Sequence, residues 1–188
     1  MASAQGGHVR PLATDRLLLR MWEPTDAEFV YDLYSRWEVQ RFIGLVPRVM
    51  EGRSEADRLI EKCRGFHHPV QGFWAVERVK DSQLVGTILL KGIPASGEAP
   101  LQLSGDTEIG WHFHPDYWGK GYATEAASAV LAHGFSAGLD RVIAITSAAN
   151  TASQSVCRRI GMKHQGVTKD YYNAMCELYR AEAASWLA

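Results

Sequence analysis

The clearest chemical spacing in the chain lies between Tyr117 and Ala127, in the run Tyr-Trp-Gly-Lys-Gly-Tyr-Ala-Thr-Glu-Ala-Ala. Gly119, Gly121 and the small residues after them leave backbone N–H groups uncovered. The run stands where a strand expected over Thr107 to Phe113 gives way to a helix expected over Tyr122 to Ser136. Bare N–H groups at the positive end of a helix dipole suit a phosphate or pyrophosphate. Two well-known phosphate loops match poorly. A Walker-type loop needs Ser or Thr after its lysine to hold magnesium, and here Gly121 follows Lys120. A dinucleotide turn needs a third glycine at position 124, which is Thr124, and Asp140 precedes its strand instead of ending it. Taken alone, the run is equally a glycine-rich turn that simply opens a helix.

Other residues narrow the chemistry. The two-residue period of a strand puts Glu108, Gly110 and His112 on one face. His112 and His114 have the spacing of strand metal ligands, but no third ligand accompanies them, so no metal is expected. Gly-x-Ser-x-Gly is absent, which argues against a Ser/His/Asp hydrolase. Cys63, Cys157 and Cys176 are far apart and odd in number, which suggests neither a disulfide framework nor a zinc site. Free thiols fit a reducing, cytoplasmic setting.

The elements that must position these residues follow from periodicity. Arg16 to Trp22 reads as a strand that Pro24 breaks. Thr25 and Glu28 have capping-box spacing for a helix over Asp26 to Tyr34, with Phe29, Val30, Leu33 and Tyr34 inward. Ser54 to Arg64 is a second helix, with Ala56, Leu59, Ile60 and Cys63 on one face. Phe73 to Val79 and Leu84 to Lys91 form a hairpin. Gly92 to Gly105, with two prolines and three glycines, reads as a surface loop. The third helix buries Ala123, Ala126, Ala127, Val130, Leu131 and Phe135, and Gly138 ends it. Arg141 to Thr146 is a strand. Asn150 or Thr151 caps a short helix that stops at Gly161, and Met162 to Val167 and Cys176 to Ala183 are the last strands. This order predicts a mixed α/β domain with one central sheet.

The 188 residues suit one domain with a full core. Residues 1–11 are expected to be a disordered lead-in and residues 12–188 the domain. With 20 basic and 21 acidic side chains the net charge is −1, which marks no partner nucleic acid or membrane surface.

Four segments, in order, carry a resemblance. They are Thr14-Asp15-Arg16-Leu17-Leu18-Leu19-Arg20, then Glu108-Ile109-Gly110-Trp111, then Tyr117 to Ala126, then Asn150-Thr151-Ala152-Ser153-Gln154-Ser155-Val156-Cys157-Arg158-Arg159-Ile160-Gly161-Met162. Together they resemble the GNAT superfamily of acyl-CoA-dependent N-acyltransferases, in its RimJ/RimL-type branch, over nearly the whole chain. The resemblance implies a single GNAT-like domain whose mixed, mostly antiparallel sheet contains a splayed parallel strand pair and is flanked by helices. It implies acetyl-CoA as co-substrate and an amine as acceptor.

Residue by residue, the resemblance places the pantetheine arm along the backbone of Trp111, His112 and Phe113. It places the pyrophosphate on the N–H groups of Gly119, Lys120, Gly121, Tyr122, Ala123 and Thr124. Lys120 would add charge, and Trp118 stands where the wider superfamily has Gln or Arg but the branch has Trp. Asn150 would hold cofactor or acceptor near the thioester, besides capping its helix. Ser153 would protonate the departing sulfur, because the position of the superfamily's usual tyrosine acid is Cys157 here. Glu108 would be the base that deprotonates the amine. Glu125 would complement the helix dipole. His67, His68, Trp22, Phe42, Phe73 and Trp74 would border the acceptor. The branch leans toward a protein or peptide N-terminus. A small amine, amino acid or antibiotic is the alternative acceptor, and a non-catalytic acyl-CoA-binding module is the alternative of another class. A homodimer is compatible, since many relatives are dimers, but no segment identifies an interface.

Overall fold

Alternating apolar residues build one eight-stranded sheet in the computed structural model, which describes residues 10–186. The expected lead-in falls outside the described residues up to position 9. From Arg10 the chain is anchored, its carbonyl accepting a 2.9 Å hydrogen bond from the buried Trp74 indole. In chain order the strands are β1 (Leu12–Ala13), β2 (Leu17–Arg20), β3 (Gly72–Arg78), β4 (Gln83–Pro94), β5 (Leu103–Phe113), β6 (Arg141–Thr146), β7 (Lys163–Thr168) and β8 (Cys176–Glu182). Their spatial order is β1-β2-β3-β4-β5-β6-β8-β7. All neighbours are antiparallel except β5 and β6. That parallel pair meets at one register position, Glu108 opposite Ile143, and beyond it the two strands are unpaired with each other. The mixed sheet with a splayed parallel pair is therefore as expected.

The helices are α1 (Ala27–Ser35), α2 (Trp37–Gln40), α3 (Arg53–Arg64), α4 (Tyr122–Ser136), α5 (Thr151–Arg159) and α6 (Ala183–Trp186). Among the described residues, no helix is long and apolar enough to cross a membrane. One face of the sheet packs Trp74, Val76, Ile88, Leu90, Ile109 and Phe113 against Ala126, Ala127, Val130 and Leu131 of α4. The other packs Ala75 against Val30 and Leu33 of α1 and Ala56 and Ile60 of α3. With Ile109 and Phe113 committed to the α4 side, the period-two rule turns Glu108, Gly110 and His112 to the opposite side.

Two expectations need correction. Thr25 and Glu28 do not form the first helix cap. A 3-10 turn, Pro24–Asp26, precedes α1, and Asp26 Oδ2 accepts a 2.8 Å bond from the Glu23 N–H. Glu28 instead pairs with Arg53 at 3.0 Å. The segment from Gly92 to Gly105 is not all loop. β4 continues to Pro94 and β5 begins at Leu103, with a register irregularity between Gly92 and Pro94. Proline is tolerated where a ladder is already irregular, and burial of Ile93 extends the arm despite the turn-rich composition.

Arg20 ties α1 to the sheet. Its Nη1 and Nη2 reach the two oxygens of Asp26 at 2.8 and 3.0 Å, and its Nε reaches Glu77 at 2.7 Å. Asp26 is 6% exposed. Arg20→Met would strand two carboxylates, so urea denaturation at neutral pH should show a loss of about 3–5 kcal/mol, the cost of breaking a buried pair. A loss below about 1 kcal/mol would mean the cluster behaves as a solvated surface pair.

Candidate active site

The strand-to-helix turn is held open by two left-handed glycines, Gly119 at φ 73° and Gly121 at φ 80°. Gly121 is the N-cap of α4, and its carbonyl accepts the first helical bond from the Glu125 N–H at 3.1 Å. Among the described residues, no hydrogen bond uses the N–H of Gly119, Lys120, Gly121, Tyr122, Ala123 or Thr124. Six donors at a helix N-terminus are the complement of a phosphate group.

The start of the chain braces this turn. Arg16 Nη1 donates to the Lys120 carbonyl at 3.0 Å, and Arg16 Nε donates to Glu125 Oε2 at 2.6 Å. Glu125 Oε1 accepts from the Thr14 hydroxyl at 2.6 Å and from the Arg16 N–H at 3.0 Å. Glu125 is thus a brace as well as a dipole-complementing acid. The Trp118 indole donates to the Phe113 carbonyl at 2.7 Å, closing the turn onto the end of β5. Lys120 Nζ donates to the Asp116 carbonyl at 2.8 Å.

Burial pushes the pKa of Glu125 up, but the bonds from Thr14 and Arg16 outweigh it and hold the carboxyl below its ordinary 4.5. A carboxylate depressed in the folded state adds stability above its unfolded pKa and loses it as pH falls through the folded value. Glu125→Gln should therefore be less stable than wild type at pH 7, and the gap should narrow progressively as pH falls below the ordinary 4.5. Parallel thermal melts across that range check this; a gap that persists or widens in acid contradicts the ionic brace.

On the far side of β5, Glu108 is 9% exposed. Lys91, its cross-strand partner on β4, places Nζ 3.0 Å from Oε2, and the Tyr172 hydroxyl donates to the same oxygen at 2.7 Å. Among the described residues Oε1 accepts no hydrogen bond. His112 Nδ1 lies 2.8 Å from the Tyr34 hydroxyl, and burial pushes its imidazole down to about 4, so the ring is neutral at pH 7. His114 lies 3.1 Å from Asp32 instead. Among the described residues no three His, Cys, Asp or Glu side chains group as a metal site.

Beyond β6, the Asn150 Oδ1 accepts from the Ser153 N–H at 3.1 Å, capping α5. The Asn150 amide nitrogen and the half-buried Ser153 hydroxyl have no partner among the described residues, so both can meet a ligand. Cys157 is 1% exposed, and burial pushes its thiol up to about 12. It is a packed thiol, not a nucleophile.

Of the residues expected to border the acceptor, two are buried in the core and four have local contacts or exposure that leave that expectation open. Trp22 and Trp74 are core side chains, 3% and 1% exposed. His68 Nδ1 accepts the Val70 and Gln71 N–H groups at 3.1 and 2.8 Å, a turn-forming role. Phe73 packs edge-on to Phe66 at 5.2 Å. Phe42 lies under the Arg41 guanidinium, and His67 is exposed. Three residues of the site were not anticipated in these roles: Tyr34, Lys91 and Tyr172. Lys91 was detectable in principle as an opposite-charge cross-strand partner, but only once the β4–β5 register was known.

A sheet opened at one parallel pair is thus bordered by a bare glycine turn after the first strand and a capped helix after the second. The model of the GNAT acetyltransferase domain matches residues 16–163. The chain is 34% identical over 162 residues to the uncharacterized N-acetyltransferase YoaA of Bacillus subtilis, covering 85% of this chain and 86% of that one. It superposes with a TM-score of 0.73 on a GNAT-family acetyltransferase of Bacillus anthracis, at 29% identity, over 93% and 99% of the two chains. In fold alone it is similar to RimL, the ribosomal L7/L12 α-N-protein acetyltransferase, in complex with coenzyme A. That match has 16% identity and a TM-score of 0.71 over 92% and 98% of the chains. The chain belongs to the GNAT family and is an acetyltransferase.

Proposed function

We propose that this acetyltransferase moves the acetyl group of acetyl-CoA directly to a primary amine, with both substrates bound together in one domain spanning residues 12–188. Acetyl-CoA supplies the activated acetyl group; the rest is positioning and proton handling by the chain. The N–H groups of Gly119 to Thr124 hold the pyrophosphate, with Lys120 and Trp118 shaping the turn. The free edge of β5 at Trp111 and His112 aligns the pantetheine arm. The Phe113 carbonyl, engaged by Trp118, is less available to it. The Asn150 amide nitrogen adds a donor near the reacting end.

Glu108 accepts the proton that the ammonium form of the acceptor must lose, through its unbonded Oε1. Ser153 donates its hydroxyl proton to the departing sulfur and is reprotonated by the second proton that the attacking nitrogen loses, so no alkoxide remains. Holding both partners in one cleft removes much of the entropic barrier of a bimolecular reaction. The observation that carries this is the pairing of six unbonded N–H groups on one side of β5 with a buried carboxylate on the same strand, at the last position before β5 and β6 part.

For the acceptor, the N-terminal amine of a protein or peptide is favoured, in line with the ribosomal-protein acceptor of the RimL-type neighbour. The near-neutral net charge gives this acceptor no extra support. The test is CoA release from acetyl-CoA against N-terminal peptides, small amines, amino acids and aminoglycosides. Turnover on peptides, with product acetylated at the α-amine, supports the proposal. Turnover confined to small amines overturns the acceptor, and no turnover on any amine overturns the reaction.

A further inference from the structure

The β7–β8 loop, residues 169–175, folds over β5 and is tied to the β4–β5 loop. Ser96 Oγ donates to the Lys169 carbonyl at 2.6 Å, and the Ser96 N–H donates to the Asp170 carbonyl at 2.8 Å. Asn173 Oδ1 accepts from the Gly97 N–H at 2.8 Å, while its Nδ2 donates to the Gly97 carbonyl at 3.0 Å. Tyr172 and Asn173 both have left-handed φ, at 54° and 55°. For Tyr172 this is a costly conformation that persists only where surrounding contacts impose it. Two adjacent tyrosines thereby reach two carboxylates of β5: Tyr171 donates to Asp106 at 2.8 Å and Tyr172 to Glu108 at 2.7 Å.

We infer that Lys91 and Tyr172 are positioning residues that clamp Oε2 of Glu108 and leave Oε1 turned free as the proton-accepting atom. This rests on Glu108 as the base. The Lys91 ammonium lies 3.0 Å from Oε2, contacts the Tyr172 hydroxyl and sits 5.1 Å from its ring centroid. A cation and a donor on one oxygen fix the orientation of the carboxylate. Burial and then the charge of Glu108 raise the Tyr172 hydroxyl well above its ordinary value, so it stays a donor. Cys176, at the start of β8, is the other titratable group whose field includes Glu108. Burial and then Glu108 push its thiol up, so it carries no competing charge at neutral pH. A loop tyrosine and a strand lysine thus set the rotamer of one side chain.

The test uses the full chain with ¹³C-carboxyl-labelled glutamate, the Glu108 signal being identified by its loss in Glu108→Gln. In Lys91→Met the Glu108 carboxyl signal should broaden or split as the side chain samples further rotamers, and in Tyr172→Phe less so, while Lys91→Arg should restore the single line. With acetyl-CoA and the amine that wild type acetylates fastest, kcat should fall about tenfold in Lys91→Met as the base loses its fixed position. The KM for acetyl-CoA should be unchanged. Melting curves confirm that each variant is folded, and Tyr172→Phe serves where Lys91→Met is not. A Glu108 signal unchanged in the folded variants, or a kcat equal to wild type, overturns the inference. Failure of the underlying assignment looks different: Glu108→Gln would then turn over as fast as wild type while the Glu108 signal still changed with Lys91.

Discussion

Glu108→Gln is expected to lower turnover by about 10²- to 10⁴-fold, the usual contribution of a positioned general base, with little change in acetyl-CoA affinity. Glutamine is nearly the same size and keeps an acceptor oxygen for Tyr172 and Lys91, so the loop contacts that hold the side chain survive. What it lacks is the basic oxygen. An amine acceptor is mostly protonated at neutral pH, so the loss should be greatest at lower pH and shrink as the free amine becomes abundant. Steady-state rates from pH 6 to 9, with calorimetric titration of acetyl-CoA, separate the two quantities. A variant as fast as wild type at every pH would assign proton removal to water or another group.

Gly121→Val is expected to weaken acetyl-CoA binding by at least about tenfold. At φ 80° a β-branched residue is strained by about 1–3 kcal/mol. The new Cβ would also lie 3.3 Å from Arg16 Nη2, in the brace that holds the Lys120 carbonyl. Relief of either strain rotates the peptide whose N–H groups are proposed to hold the pyrophosphate. Gly138 makes a matched control: it has φ 93°, stands at the other end of α4, and a Cβ added there would meet no atom within 4 Å. Gly138→Val should lose similar stability and keep its affinity. Equal affinity in Gly121→Val and wild type would remove the turn from the cofactor site.

Local order was readable wherever one helix or strand stood alone. α4 begins and ends where its apolar spacing and flanking glycines put it, at Tyr122–Ser136, and Asn150 caps α5 through its own side chain. These are interactions within about four residues, so neighbouring sequence determines them. The motif Thr14-Asp15-Arg16 was readable as a family mark but not as a brace. Its meaning is the contact of Thr14 and Arg16 with Glu125, more than a hundred positions away.

The glycine turn, the Asn150 helix and the bare N–H groups were therefore determined by the sequence itself, through backbone conformations only glycine adopts cheaply and caps that act locally. The surroundings of Glu108 were decided by tertiary structure. Which residue faces it depends on the β4–β5 register, and β4 runs through Pro94 only because Ile93 is buried. Tyr172 reaches it only because two loops far apart in sequence are tied together and force a left-handed backbone on a tyrosine. Long-range packing overrides local preference there, because a buried side chain and several loop hydrogen bonds together outweigh the strain of one residue.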